Sequence, residues 1–168
     1  SLTDHYDPRK RVLRLSQTVY GVASVAAISV ACHEAGHAIQ HAEKYAPLTF
    51  RNNIVPLVNI ASKFSWVLII IGIGMLASGS YMGDMLFNIG VIFFLAVILF
   101  HAVTLPVEFN ASSRAKKQLI DLKIIDNYEL QDSKTMLNAA ALTYVASVLT
   151  TLLQILRLAL IIFGRRDD

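Results

Sequence analysis

Two long apolar stretches constrain the fold of this chain more than any other feature. Residues 64–81 and 85–105 are mostly apolar, and His101 is the only ionisable residue in the second stretch. A helix needs about 20 mainly apolar residues to cross a bilayer. The polar residues 79–84, which include Asp84, predict the turn between two transmembrane helices. A pair of buried helices in a soluble protein is the alternative, and the near absence of charge disfavours it.

A third apolar segment, residues 139–163, predicts another long transmembrane helix. Gln154 and Arg157 interrupt it late, and a long arginine side chain near a helix end can reach the membrane interface. Only 16 % of the 168 residues are charged, whereas soluble domains carry about a quarter. We therefore expect a mainly α membrane protein that forms a single membrane-embedded domain over residues 1–168.

Charge and cysteine content exclude several classes of protein. The formal net charge is +3, without a dense lysine and arginine cluster interleaved with aromatic residues, so no nucleic-acid partner is expected. Cys32 is the only cysteine, which excludes an intrachain disulfide and a cysteine zinc site. The chain begins at Ser1 without an initiator methionine or a signal peptide, so we expect a fragment.

Residues 1–16 predict a small β-hairpin. Two short strands, residues 2–6 and 11–15, flank a turn at residues 7–10, in which Pro8 suits the second turn position. An extended peptide can pair with the exposed edge of such a hairpin. A purely structural hairpin is the alternative, and the sequence does not decide between them.

A pair of histidines on a predicted helix is the chemical centre of the sequence. The helix covers residues 24–43, with Ser24 as its N-cap, and contains the run His-Glu-Ala-Gly-His at residues 33–37. Positions four apart share a helix face, so His33 and His37 can bind one metal ion. Glu34 would reach a water on that ion. Two imidazoles with a general base are typical of zinc proteases.

Two ordinary histidines and a surface glutamate are the alternative interpretation of this helix. The surrounding residues are apolar nearly all round, which predicts a buried helix. Buried ionisable groups need partners or a metal, so we favour the metal. The apolar neighbours are Val25, Ala26, Ala27, Ile28, Val30, Ala31, Cys32, Ala35, Ala38 and Ile39.

A catalytic zinc usually takes three protein ligands, and the sequence offers three candidates for the third. His41 would lie about 12 Å from His33 along a straight helix, too far for the same ion. His5 lies on the predicted hairpin, where nothing fixes its position. Glu108 follows the second apolar stretch, where the returning chain brings it near the motif helix, and a carboxylate beside an apolar span is costly unless functional. An interfacial glutamate paired with Arg114 or Lys116 is the alternative.

These residues resemble the motifs of membrane zinc proteases. The run at residues 33–37 followed by residues 108–112 is similar to the gluzincins HtpX and the CAAX prenyl proteases, whose third ligand is a glutamate in a Glu-x-x-Ala-Asp stretch. This chain has Ser112 in place of that aspartate. The similarity is closer to the YugP-like bacterial neutral zinc metallopeptidases and covers nearly the whole chain. The similar runs are residues 2–9, 13–16, 33–41, 103–112 and 140–146.

The resemblance implies an integral-membrane zinc endopeptidase with one Zn²⁺ per chain. Its implied ligands are His33, His37 and Glu108, with Glu34 as the general base for a zinc-activated water. It also implies a preceding domain and membrane helix that this chain lacks. Expected partners are the lipid bilayer, a peptide or membrane-protein substrate, and an N-terminal partner segment or a second copy of the chain.

The donor that stabilises the oxyanion of the reaction stays open. A tetrahedral intermediate needs one, and His5, Tyr6, Arg114 and Tyr144 are candidates for contact with the oxyanion or the substrate. The sequence gives no order among them.

Lysine and arginine residues are concentrated on one side of the predicted spans. Cytoplasmic loops carry such an excess, so we expect the site to face the cytoplasm at the bacterial inner membrane. Arg157, Arg165 and Arg166 argue against a last helix that crosses the bilayer. The residues on the motif side are Arg9, Lys10, Arg11, Arg14, Lys44, Arg51, Lys63, Arg114, Lys116, Lys117, Lys123 and Lys134.

Two other functions compete with the endopeptidase. A non-catalytic zinc-binding membrane scaffold would not need Glu34, whereas a hydrolase does. A transporter would use His101 and Glu108 to carry ions or protons, and no internal sequence repeat supports it.

Overall fold

A computed structural model describes residues 4–126 and 128–163, with the backbone alone at residues 158, 159 and 161–163. Their order is β1 (His5–Asp7), β2 (Val12–Arg14), α1 (Val25–Ala42), α2 (Ala46–Ala77), α3 (Tyr81–Asp121) and α4 (Glu129–Phe163). The prediction of a mainly helical chain with a small N-terminal hairpin is confirmed. Residues 1–3 of the predicted hairpin lie outside the described residues.

The chain forms two compact units. The site unit comprises Ser1–Thr49 and Thr104–Ala146, and the span unit comprises Phe50–Val103 and Ser147–Asp168. The motif histidines and Glu108 all belong to the site unit. A single domain over the whole chain stays a prediction.

The hairpin turn is held by the side chain of Asp7. Its Oδ1 accepts the backbone N–H groups of Arg9 at 3.0 Å and Lys10 at 3.1 Å, an arrangement typical of Asx turns. These donors, the Lys10 amide first, hold the pKa of the Asp7 carboxyl below its ordinary value. Arg11 closes the turn in the left-handed region, at φ 54°. The hairpin is thus fixed by backbone hydrogen bonds rather than by a core.

Helix α1 begins and ends with defined capping interactions. The side chain of Ser24 accepts the N–H of Ala27 at 3.2 Å, which confirms Ser24 as the predicted N-cap. At the other end, the amides of Lys44 and Tyr45 donate back to carbonyls of the last turn, and Lys44 adopts φ 55°. This is the Schellman ending, which usually places glycine at that position.

Helices α2 and α3 are longer than the predicted spans of residues 64–81 and 85–105. Helix α2 already begins at Ala46 and continues through Pro56. Helix α3 continues through Pro106, past the end of the predicted span. Proline is tolerated inside apolar helices because neighbouring groups satisfy the carbonyl that it leaves free.

Two connections also differ from the predicted ones. The turn before α3 is shorter than residues 79–84, because Gly79 at φ 76° ends α2 and α3 starts at Tyr81. Helix α4 starts at Glu129, well before the apolar segment. Asp126 accepts the Glu129 N–H at 2.8 Å, and the Glu129 carboxylate accepts the Asp126 N–H at 3.3 Å. This reciprocal pair is a capping box, which sets the start of α4.

The span unit packs its helices closely through small residues. Ile69 and Phe94 form its buried core, and a Cβ added at Gly90 would lie 2.8 Å from the Ile69 side chain. Small residues are typical of close helix packing in membranes. Among the described residues, three helices are long and apolar enough to cross a membrane, by length and composition: Ala46–Ala77, Tyr81–Asp121 and Glu129–Arg157.

A polar cavity of about 420 Å³ lies within the span unit beside His101. Polar groups at membrane depth are tolerated where they line a cavity. Its lining contains no carboxylate, lysine or arginine among the described residues, and Glu108 belongs to the other unit. The polar lining residues besides His101 are Ser62, Ser65, Ser147, Thr150, Thr151 and Gln154.

Candidate active site

Three potential metal ligands meet inside the site unit. Helix α1 presents His33 and His37 from successive turns, and α3 presents Glu108. Glu108 Oε2 lies 3.1 Å from His33 Nε2 and 3.5 Å from His37 Nε2. The three ligand atoms all lie within 4.8 Å of one another. His37 and Glu108 are buried, at 8 % and 3 % exposure. The structure thus brings together the three residues that the sequence singles out as zinc ligands.

The spacing and chemistry of this group fit a zinc ion. Tetrahedral zinc with bonds of 2.0–2.1 Å places its ligand atoms about 3.3 Å apart. The two measured separations, 3.1 Å and 3.5 Å, lie on either side of that value. Two imidazole nitrogens and one carboxylate oxygen are a catalytic donor set that leaves a fourth position open. The residues present and the two separations from Glu108 therefore suit zinc.

Gly36 allows α1 and α3 to approach closely enough for this group to form. A Cβ added at Gly36 would lie 2.5 Å from the backbone oxygen of Ala111. Real side chains do not approach a backbone atom so closely, so any other residue would separate the helices. The glycine of the motif is therefore a packing requirement of the site.

A buried glutamine orients the imidazole of His37. Gln40 Nε2 donates to the Val107 carbonyl at 2.8 Å and to Asn110 Oδ1 at 2.9 Å. The amide oxygen of Gln40 is thereby left to accept the Nδ1–H of His37, at 2.9 Å. This hydrogen bond fixes the tautomer and leaves Nε2 of His37 directed at Glu108 as a metal ligand.

Ser112 orients the other imidazole. Its Oγ lies 3.1 Å from Nδ1 of His33, and the residue is buried at 4 % exposure. With Nδ1–H donating to this oxygen, the Nε2 atom of His33 is free to bind a metal. Ser112 thus stands beside one imidazole as Gln40 stands beside the other.

Glu34 lies next to this group and is held by the hairpin. Its Oε2 accepts the backbone N–H of Tyr6 at 3.0 Å. Burial raises the pKa of the Glu34 carboxyl, and the positive charges of His37 and His33 oppose that effect. A carboxyl whose pKa is raised toward neutrality accepts and returns protons more readily.

The charge of Glu108 also acts on His37. Burial alone would lower the pKa of the His37 imidazolium, but the hydrogen bond to Glu108 and its negative charge outweigh burial and raise that pKa. Because metals bind neutral imidazole, protons compete with the metal at this residue.

The other predicted contact residues lie in different environments. Tyr6 Oη lies 2.8 Å from Nδ1 of His41, and His41 is not part of the ligand group. Arg114 forms an ion pair with Glu43 at 2.7 Å. This ion pair is an alternative to the predicted contact of Arg114 with the oxyanion. His5 lies on the exposed side of β1 and Tyr144 on α4. A contact of either with substrate stays a prediction.

The sequence interpretation missed Gln40 and Asn110. Gln40 is three residues after His37, which is a spacing at which helical side chains meet. A polar residue on the buried face of a motif helix was a usable signal. Asn110 had no such signal, because its role depends on the packing of α3 against α1.

Comparisons with known proteins identify a family and a relative of this chain. Residues 1–163 match a family described as "Putative neutral zinc metallopeptidase". The chain is 47 % identical over 169 residues to "Putative membrane protease YugP" of Bacillus subtilis (strain 168), an alignment that covers 100 % of this chain and 72 % of that protein. No solved structure matches the chain. The relative's name and the three apolar helices together indicate an integral membrane protein. This chain therefore belongs to the neutral zinc metallopeptidase family, as its resemblance predicts.

Proposed function

We propose that this protein is an integral-membrane zinc endopeptidase of the gluzincin type. The observation that carries the proposal is the position of Glu34 beside the group of His33, His37 and Glu108, with its carboxylate held by the Tyr6 amide. A site that only stores or holds a metal has no use for a second, non-ligating carboxylate beside Glu108.

The proposed reaction divides the work between the ligands and Glu34. Zinc held by His33, His37 and Glu108 would polarise a peptide carbonyl and lower the pKa of a water. Glu34 accepts a proton from the attacking water and delivers it to the leaving amine. Gln40 and Ser112 keep the two imidazoles in the orientation that this arrangement needs. The oxyanion donor is not assigned.

The hairpin offers a place for an extended peptide. In an antiparallel pair, successive residues direct their backbone groups to opposite sides. The N–H of Tyr6 points to Glu34, so the edge of β1 away from β2 faces the site. A peptide aligned with this edge would present its backbone to Glu34.

We also propose that the site faces the cytoplasm at the bacterial inner membrane. Of the 15 lysines and arginines, twelve lie on the motif side of the predicted spans, and the other three lie in the C-terminal segment. Cytoplasmic segments carry such an excess. The lipid bilayer and a membrane-protein or peptide substrate are the proposed partners, with an N-terminal segment or a second copy as a further one.

The decisive experiment replaces Glu34 with glutamine. Glu34→Gln should lose peptide hydrolysis by about 10³-fold or more, because the carboxamide cannot carry the proton. It should keep about one zinc per chain, since no ligand is removed. Metal content and cleavage of a fluorogenic peptide mixture would both be measured on detergent-purified protein.

A matched control is Glu43→Gln on the same helix. Glu43 is an exposed partner of Arg114, and such pairs contribute under about 1 kcal/mol. This variant should cleave like the original protein. Undiminished cleavage by Glu34→Gln would contradict the mechanism, and bound zinc without any turnover in the original protein would favour the scaffold.

A further inference from the structure

A second cavity lies within the site unit, against the C-terminal half of α1. Its volume is about 500 Å³, and its lining includes Tyr6, Arg11, Ala38, His41 and Lys44. The methyl group of Ala38 is too small to fill the space beside the helix. The hairpin contributes Tyr6 and Arg11, so the cavity has walls from both elements.

Tyr6 links the cavity to the proposed catalytic residue. Tyr6 takes part in both places, because its N–H donates to Glu34 and its hydroxyl contacts His41. Glu34, Ala38 and His41 follow one another at helical spacings of four and three, which places them on one face of α1. A peptide whose backbone reaches Glu34 along this face therefore passes the cavity.

The cavity carries positive charge without a compensating acid. Arg11 and Lys44 are the formally charged residues in its lining, and no carboxylate lines it. The nearby acids are engaged elsewhere: Asp7 by its turn and Arg14, and Glu43 by Arg114. Across residues 4–126 and 128–163, neither Arg11 nor Lys44 forms an ion pair. An anionic group entering the cavity would meet two unneutralised cations.

Both cations occupy backbone positions that favour glycine. Arg11 has φ 54° and Lys44 has φ 55°, in the left-handed region that costs a residue with a Cβ about 1–2 kcal/mol. Long cationic side chains stand at both positions despite this cost. Glycine can therefore replace either residue and remove its charge without disturbing the backbone.

We propose that this cavity binds a carboxylate of the peptide substrate through Arg11 and Lys44. The carboxylate belongs either to an aspartate or glutamate side chain or to the C-terminus of the peptide. The inference deepens the proposed function, on which it rests, by naming as the preferred substrate class those peptides that place a carboxylate in this cavity. Arg11 and Lys44 are thus specificity-determining residues, and Tyr6 connects their cavity to Glu34.

Peptide binding can be tested without turnover. The zinc-loaded Glu34→Gln protein, full chain in detergent, is titrated with fluorescein-labelled dodecapeptides that carry one glutamate, glutamine or lysine at each position in turn. Each peptide is made with a free and an amidated C-terminus, and binding is followed by anisotropy. We expect glutamate peptides, or free-acid peptides, to bind about tenfold more tightly than their neutral counterparts, an ordinary gain for a charged contact.

The double change Arg11→Gly and Lys44→Gly should reduce this preference to about twofold or less. The double variant should unfold at a temperature no lower than that of the parent protein, since both positions favour glycine. Lys123→Gly is the matched control. Lys123 has φ 50° and ends α3 as Lys44 ends α1, but it does not line this cavity. That variant should keep the full preference.

The outcomes separate this inference from the proposed function. Equal binding of glutamate, glutamine and lysine peptides would overturn it, and so would a preference that survives the double glycine change. A double change that weakens only binding to anionic vesicles would assign the cations to a lipid surface and also overturn it. If the carboxylate preference depends on Arg11 and Lys44 but the protein cleaves no peptide, the cavity binds carboxylates as inferred and the proposed endopeptidase function is wrong.

Discussion

At the scale of single residues, Glu108 controls how protons and metal compete at His37. The hydrogen bond and charge of Glu108 raise the pKa of His37. Glu108→Gln should lower that pKa, because both effects weaken, and should abolish stoichiometric zinc. Histidine NMR titration of the metal-free protein and metal analysis are the two measurements. Retention of one zinc per chain without Glu108 would exclude it as the third ligand.

The same pKa gives the direction of a pH dependence. Zinc binds the neutral imidazole, and the pKa of His37 in the metal-free site lies above its ordinary value of 6.5. Zinc affinity should therefore fall as the pH drops through that raised pKa, beginning at a higher pH than for an unperturbed histidine. Titration against a chelator at a series of pH values measures this. An affinity that is constant down to the ordinary histidine range would contradict the effect of Glu108.

Ser112 allows a test of the orienting hydrogen bond to His33. Ser112→Ala should lower zinc affinity by about 10- to 100-fold, which is typical when a ligand loses such a partner. Ser112→Asp should restore it, because a carboxylate also accepts the Nδ1–H. Chelator competition measures both. Equal affinities of the alanine and serine proteins would mean that the hydrogen bond of 3.1 Å does not hold the ring.

Residue spacing predicted part of this site and tertiary packing determined the rest. His33, Glu34 and His37 follow from a local helix, whose geometry is the same in every protein. Glu108 was predicted because apolar spans return the chain toward its starting side, and because residues 108–112 resemble a known ligand motif. The helical spacing of Gln40 from His37 is a local signal, but the orientation of the Gln40 amide depends on a carbonyl of α3, which no local pattern contains.

At the scale of elements, the approach of α1 to α3 is the feature on which the site depends. Gly36→Ala should force the helices apart at Ala111. Overpacking of this kind costs about 1–3 kcal/mol of stability. The displaced Glu108 should no longer bind the same zinc ion as the two histidines. The zinc content and the midpoint temperature of thermal unfolding should both fall.

Gly74→Ala is the control for this change. Gly74 also lies inside a helix, α2, but a Cβ there meets nothing within 4 Å. Alanine should be neutral or slightly stabilising at that position, because glycine is the poorer helix former. If Gly36→Ala kept its zinc and its stability, the close approach would not be a requirement of the site.

The extents of the elements were only partly predictable. Apolar composition indicates that a segment spans, but it does not mark where a helix begins outside the membrane. Helix α2 therefore starts much earlier than its apolar part, and α3 passes Pro106. The start of α4 did have a local signal, since Asp126 and Glu129 stand at the capping-box spacing.

At the scale of the whole molecule, the distribution of charge predicts the side on which each segment lies. In a Cys32→Ala background, cysteine placed at Lys10 should be protected from a membrane-impermeant maleimide added to intact cells. Cysteine placed at Ser78, in the turn between α2 and α3, should be labelled. The reversed pattern would place the site outside the cytoplasm. If neither cysteine were labelled, the prediction that α2 crosses the membrane between them would be wrong.

The ligand group joins two parts of the chain that are far apart in sequence. His37 and Glu108 are separated by the whole of α2 and most of the apolar part of α3. A bound ion would therefore act as a staple that closes this loop, in a chain whose single cysteine cannot form a disulfide. A covalent cross-link closing a loop of that order contributes about 4 kcal/mol. Chelation would then remove the cross-link between α1 and α3 together with the catalytic ion. The protein would therefore lose stability as well as activity.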